Sequence, residues 1–224
     1  MAALTAHDVR HGGFLLLRDS LEANGGFLVV QLMKLAASSE PPHDLTLVAV
    51  QHAAAHYAAT ARKAGLSLPA LQASGHMAVV DVLAQLAVEA ADGLSKQQQK
   101  SAEQQQQQQQ HEDQQQPPHA AGRLLSLRSL ADCITQEAAA LAGDADRPLL
   151  LLIDDLSALA AASGNSAELP AFVHACRSLG TRLGRHRFCL AAMVHGDIED
   201  DQLLVTALEH AATVSSCTVT QALY

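Results

Sequence analysis

Pro148-Leu149-Leu150-Leu151-Leu152-Ile153-Asp154-Asp155-Leu156-Ser157 constrains this chain more than any other stretch: five consecutive apolar residues stop abruptly at two acids. A run this short and this apolar, bounded by Arg147-Pro148 and by paired carboxylates, predicts a strand covered on both faces, which belongs in a parallel sheet. The carboxyl end of such a strand is where open α/β sheets bind ligands, and in nucleotide hydrolases it carries the aspartate that holds magnesium. The partner motif of that aspartate is missing here.

Nowhere does the chain contain Gly-x-x-x-x-Gly-Lys-Ser/Thr, the loop whose amides cradle phosphate while its lysine and hydroxyl engage the γ-phosphate and the metal. The best match is degenerate. Residues 12–18 predict a first strand, residues 19–26 a turn, and Phe27 to about Ala37 a helix; in that frame Ser20 takes the first glycine, Gly25 the second, Gly26 the lysine and Phe27 the hydroxyl residue. Asp19 and Glu22 add negative charge where polyphosphate would sit, which opposes anion binding at a helix N-terminus. An ordinary glycine-rich strand-to-helix turn accounts for the segment equally well. Without a phosphate loop, Asp154 and Asp155 are expected to cap a helix or line a crevice rather than hold magnesium. No catalytic residue, cofactor or resident metal is expected.

Composition narrows the function classes. A chain of 224 residues, 49% hydrophobic and only 3% aromatic, can bury a substantial aliphatic core. Its 14 basic and 23 acidic residues leave a formal charge of −9, which argues against autonomous nucleic-acid binding. Cys133, Cys176, Cys189 and Cys217 have no Cys-x-x-Cys spacing, so neither a zinc ribbon nor a disulfide framework is expected. With no signal-like N-terminus and no apolar run near the roughly 20 residues that span a bilayer, a soluble cytoplasmic or nuclear chain in a reducing compartment is expected, with no membrane partner.

Glutamine runs at 97–99, 104–110 and 114–116, followed by Pro117-Pro118, divide the chain. They have little to bury and cannot offset the entropy of ordering. The expected organisation is therefore 1–92 and 123–224 as two halves of one domain, with 93–122 as a disordered insertion. On either side, strands and helices alternate. Strands are expected at 45–50, 76–80, 149–153, 188–194 and 214–219, and helices at 52–64, 82–91, 124–141, 170–183 and 198–212. Such alternation implies right-handed crossovers in a three-layer α/β sandwich with a mainly parallel sheet.

Other residues invite chemistry. His52 and His56 have metalloprotease spacing but no glutamate base and no third ligand, which leaves them as helix-surface histidines. No Gly-x-Ser-x-Gly elbow exposes Ser157, Ser163 or Ser166 as a nucleophile. Arg182, Arg185, His186 and Arg187 form the densest basic cluster, explicable by a helix macrodipole or by contact with RNA or an acidic partner.

Gly25-Gly26-Phe27-Leu28-Val29-Val30, Gln51 with His56-Tyr57, residues 151–157, and Val194-His195-Gly196-Asp197 with its trailing acids, taken in order, resemble the family of the sixth subunit of the Elongator complex. The resemblance covers nearly the whole chain outside the glutamine tract. It implies a RecA-like fold with eroded nucleotide motifs and a hetero-hexameric ring with the fourth and fifth subunits. The ring serves the remainder of Elongator, which modifies the wobble uridine of tRNA, and tRNA binds through the assembled ring. It further implies that the segments after two central strands face the ring channel, which makes Ser163, Gly164, Asn165 and His195 candidates to face RNA alongside Arg182, Arg185 and Arg187. Solvated loops would explain these segments too. One edge is expected to be short, because such cores continue past the Val214 strand and this chain stops at Tyr224. Two other readings stay open: an active ATPase of the RecA or circadian-clock type with an unorthodox phosphate loop, and a scaffold with no nucleic-acid role.

Overall fold

Leu149–Asp154, the apolar run, is the fourth strand (β4) and lies wholly buried at the centre of a six-stranded sheet. The computed structural model describes residues 12–20, 25–88, 125–141, 146–197, 202–212 and 214–218. The other strands are β1 (Gly13–Asp19), β2 (Asp44–Ala49), β3 (Met77–Asp81), β5 (Phe188–His195) and β6 (Val214–Thr218). Their order across the sheet is β3-β2-β4-β5-β1-β6, and every pairing is parallel. Direct pairing of β2 with β4 joins the two sides of the glutamine tract in one sheet.

Side chains alternate across β4 as the pleat requires: Leu149, Leu151 and Ile153 enter one apolar layer, Leu150 and Leu152 the other. Against the second layer pack α1 (Gly26–Ala37), α2 (Ala54–Lys63) and α3 (Leu68–Ala73). Against the first pack α4 (Leu127–Ala139), α5 (Leu156–Ser163), α6 (Leu169–Arg177), the single turn α7 (Leu179–Arg182) and α8 (Gln202–Ala211). Connections leaving β1 and β2 therefore run over one face and those leaving β4 and β5 over the other. Where such neighbours part, the carboxyl edge of the sheet opens a crevice.

Three expectations about elements need correction. The predicted helix over 170–183 is two helices, broken at Ser178, whose hydroxyl donates to the Ala175 carbonyl at 2.7 Å. The stretch 160–168 is not a loop: α5 runs through Ser163, and 166–168 form a 3-10 turn. The short helix α3 was not expected; Ser67 starts it, its hydroxyl accepting the Ala70 amide at 3.4 Å, and Pro69 stands in its first turn.

At the amino edge, Asp44 is fully buried and meets two arginines and a histidine from three other segments. Arg147 Nε lies 2.7 Å from Oδ1, Arg185 Nη2 3.1 Å from Oδ2 and His76 Nδ1 2.9 Å from Oδ1. The two arginine approaches pair charge without the alignment of a hydrogen bond.

Candidate functional site at the carboxyl edge

Asp19, Asp154, Asp155 and His195 end or follow three strands, and parallel register brings them to one place, with Asp19 directly opposite His195. His195 Nδ1 meets Asp19 Oδ1 at 2.5 Å, and its Nε2 lies 3.0 Å from Asp155 Oδ2. Its backbone amide donates to Ser157 Oγ at 3.1 Å. The imidazole thus ties the ends of β1, β4 and β5 together.

Charge in this crevice is unusually confined. Burial pushes the Asp154 carboxyl up to about 7, with the neighbouring Asp155 and Asp19 carboxylates adding to the rise and His195 opposing it. Asp155 is raised as well, mainly by burial, although the Ala158 amide and His195 hold it back. Burial lowers His195, but Asp155 and Asp19 outweigh it, and the net shift is upward. Among the described residues neither Asp154 oxygen has a hydrogen-bond partner. Asp155 Oδ1 accepts the Ala158 amide at 2.6 Å and starts α5, which is the capping role expected of it.

The phosphate-loop position is filled by the chain itself. Asp19 Oδ2 accepts the Gly25 amide at 2.9 Å just before α1 begins. A Cβ on Gly25 would stand 3.0 Å from the Asp19 Cβ and 3.1 Å from the Met193 Sδ, so Gly25 is pressed onto β1 and β5. Phe27, where a hydroxyl would be needed for magnesium, is 55% exposed. Glu22 lies outside the described residues, as do Glu199, Asp200 and Asp201.

The RNA-facing candidates are scattered. Ser163 is buried, its hydroxyl bonded to the Ala160 carbonyl at 3.0 Å, because α5 extends to it; this corrects its expected place on a loop. Gly164 takes the left-handed conformation that ends α5 and is exposed. Asn165 is half-buried, and its amide donates to Glu168 Oε1 at 2.9 Å. Arg182 and Arg187 are exposed, but Arg185 is only 8% exposed and committed to Asp44 and the Arg147 carbonyl, which corrects its place in a surface cluster. These arginines precede β5 and His195 ends it, so the strand separates them by more than about 20 Å.

His52 precedes α2 rather than lying on it, so the helical pairing with His56 is also corrected; the two rings meet at a tilt of 39° with centroids 4.3 Å apart. Burial and the neighbouring His56 lower His52, against the pull of Asp155. Among the described residues no group of three or more His, Cys, Asp or Glu side chains is arranged to hold a metal ion, and no helix is long and apolar enough to cross a membrane. Sequence reasoning placed Asp19 where polyphosphate would sit but missed its contacts with Gly25 and His195. Its signal was its place as the first acid after a strand.

Comparison with known proteins gives the relationship. A KaiC-like protein from the hyperthermophilic archaeon Pyrococcus horikoshii superposes with a TM-score of 0.52 at 12% identity, over 84% of this chain and 63% of the archaeal one. The chain thus spans less than two thirds of that protein, and the likeness identifies the fold as RecA-like. No curated protein matches by sequence. The family model for Elongation complex protein 6 matches residues 2–219. The chain belongs to that family, the sixth subunit of Elongator, built on a RecA-like sheet.

Proposed function

We propose that this chain is a non-catalytic subunit of the Elongator accessory ring, assembled with the fourth and fifth subunits, and that it supports tRNA binding during wobble-uridine modification. The observation that carries the non-catalytic reading is the Asp19–Gly25 contact. A carboxylate already accepts the amide that a phosphate would need, and it brings a like charge to the place of polyphosphate. Gly26 and Phe27 supply neither ammonium nor hydroxyl.

The tRNA role rests on family membership, and the net charge of −9 assigns most of the cationic surface to the sister subunits. Exposed Gly164, Arg182 and Arg187, with half-buried Asn165 and His195, are this chain's remaining candidates to meet RNA. A cytoplasmic or nuclear location fits the role.

Titration calorimetry of the isolated chain with magnesium and ATP tests the reading, alongside native mass measurement of the chain mixed with the fourth and fifth subunits. No ATP binding and a hetero-hexamer are expected. Micromolar ATP affinity abolished by Asp154→Asn would overturn the non-catalytic reading in favour of an active ATPase, and failure to assemble would overturn the ring role.

A further inference from the structure

At the edge of the sheet opposite the crevice, the starts of β1 and β5 and the α6–α7 junction enclose a cleft of about 320 Å³. Arg177, Arg185, His186 and Arg187 line it together with Thr181 and the backbone of Gly12, Gly13 and Gly180. Among the described residues no carboxylate lines it. Arg185 is paired with Asp44, which leaves Arg177 and Arg187 as the cleft's other two guanidinium groups. Arg177 lies over the Phe14 ring with its Cζ 5.8 Å from the centroid, and among the described residues neither it nor Arg187 has an ion-pair partner. The macrodipole of α6 explains a cation at Arg177, in that helix's last turn. It does not explain Arg187, which follows α7 and directly precedes β5.

We propose that this cleft binds a carboxylate side chain of an acidic peptide segment from a partner protein, with Arg177 and Arg187 as its counter-ions. Guanidinium pairs recognise carboxylates through charge-assisted, bidentate hydrogen bonds. Three features favour a peptide over nucleic acid. The volume takes one or two side chains rather than a backbone track. A molecule of formal charge −9 repels an extended polyanion far more than one or two local charges. Neither phenylalanine at the cleft is free for base stacking: Phe14 is 1% exposed, and Phe188 packs so closely on Gly180 that a Cβ there would lie 2.4 Å from its own Cβ. The proposal stands on the cleft alone and does not depend on how the nucleotide position is read.

Fluorescence anisotropy of the full chain with a labelled peptide of alternating glutamate and glycine tests it, with the glutamine-for-glutamate peptide and a short oligouridylate as comparison probes. The acidic peptide should bind and the glutamine peptide should not. Arg177→Gln with Arg187→Gln should weaken the acidic peptide by at least about tenfold, since each charge-assisted bond is worth that much. Arg128→Gln, outside the cleft, should not weaken it. Circular dichroism and melting confirm that each variant is folded. Unchanged affinity in the double variant, no binding of the acidic peptide, or tighter binding of oligouridylate through the same two arginines would each overturn the proposal, the last in favour of RNA.

Discussion

Asp19 holds the Gly25 amide at 2.9 Å with one carboxylate oxygen and His195 at 2.5 Å with the other. One side chain thereby closes the loop before α1 and joins it to the end of β5. Asp19→Ala leaves the Gly25 amide and the imidazole without that acceptor, and a buried group so abandoned costs about 1–3 kcal/mol. Urea denaturation should show a loss of that size. A change within about 0.5 kcal/mol, the range of ordinary surface substitutions, would mean that the loop is held otherwise.

Stability should fall as pH rises through neutrality. The Asp154 carboxyl ionises at about 7 in the folded chain and near 3.9 when unfolded, so between those values the folded chain holds a proton that the unfolded chain has lost. Unfolding free energy then declines with pH, by an amount on the order of 2–4 kcal/mol once Asp154 is ionised. His195, raised in the fold, acts in the same sense: its contribution is complete below about 6.5 and is lost as pH climbs through its folded value. Denaturation midpoints measured from pH 5 to 9 should decline in the parent chain and flatten in Asp154→Asn. Equal slopes would place the dependence elsewhere.

Asp44→Ala should be among the most damaging single changes at the amino edge. It strands Arg147 and the 8%-exposed Arg185 beside His76 in a site built for their charge. Removing one partner of a buried ion-pair set costs about 3–5 kcal/mol. Thermal or chemical denaturation reads the loss directly; a cost below about 1 kcal/mol would show that the two arginines reach solvent.

Neutralising arginines before β5 should separate by burial. Exposed Arg182→Gln and Arg187→Gln should each change stability by less than about 0.5 kcal/mol, whereas Arg185→Gln should destabilise the fold by uncovering Asp44. Melting of the three single variants decides it, and equal effects would contradict the assignment of Arg185 to the buried hub.

Replacing residues 93–122 with a short Gly/Ser connection should preserve the fold. Loop closure depends weakly on length, and the sheet is joined by the β2–β4 pairing rather than through the tract, which lies outside the described residues. An unchanged melting temperature is expected; a fall of 10 °C or more, at about 2–4 °C per kcal/mol, would make the insertion structural.

Much of the fold was legible because its signals are local. Residues 149–153 could only be a strand buried on both faces, and the alternation of such runs with helices dictates parallel crossovers whatever the distant contacts. The eroded phosphate loop was equally plain, since losing a lysine and a hydroxyl is a fact of composition at Gly26 and Phe27. Short α3 escaped because a single cap, Ser67, starts it without a long amphipathic period. What only the tertiary structure decided is pairing across the sheet. Asp19 and His195 are 176 positions apart, and Asp44 meets residues far along the chain on three sides. Such contacts follow from strand order and register, which no local pattern encodes, and they turned Arg185 from an expected surface cation into a buried counter-ion.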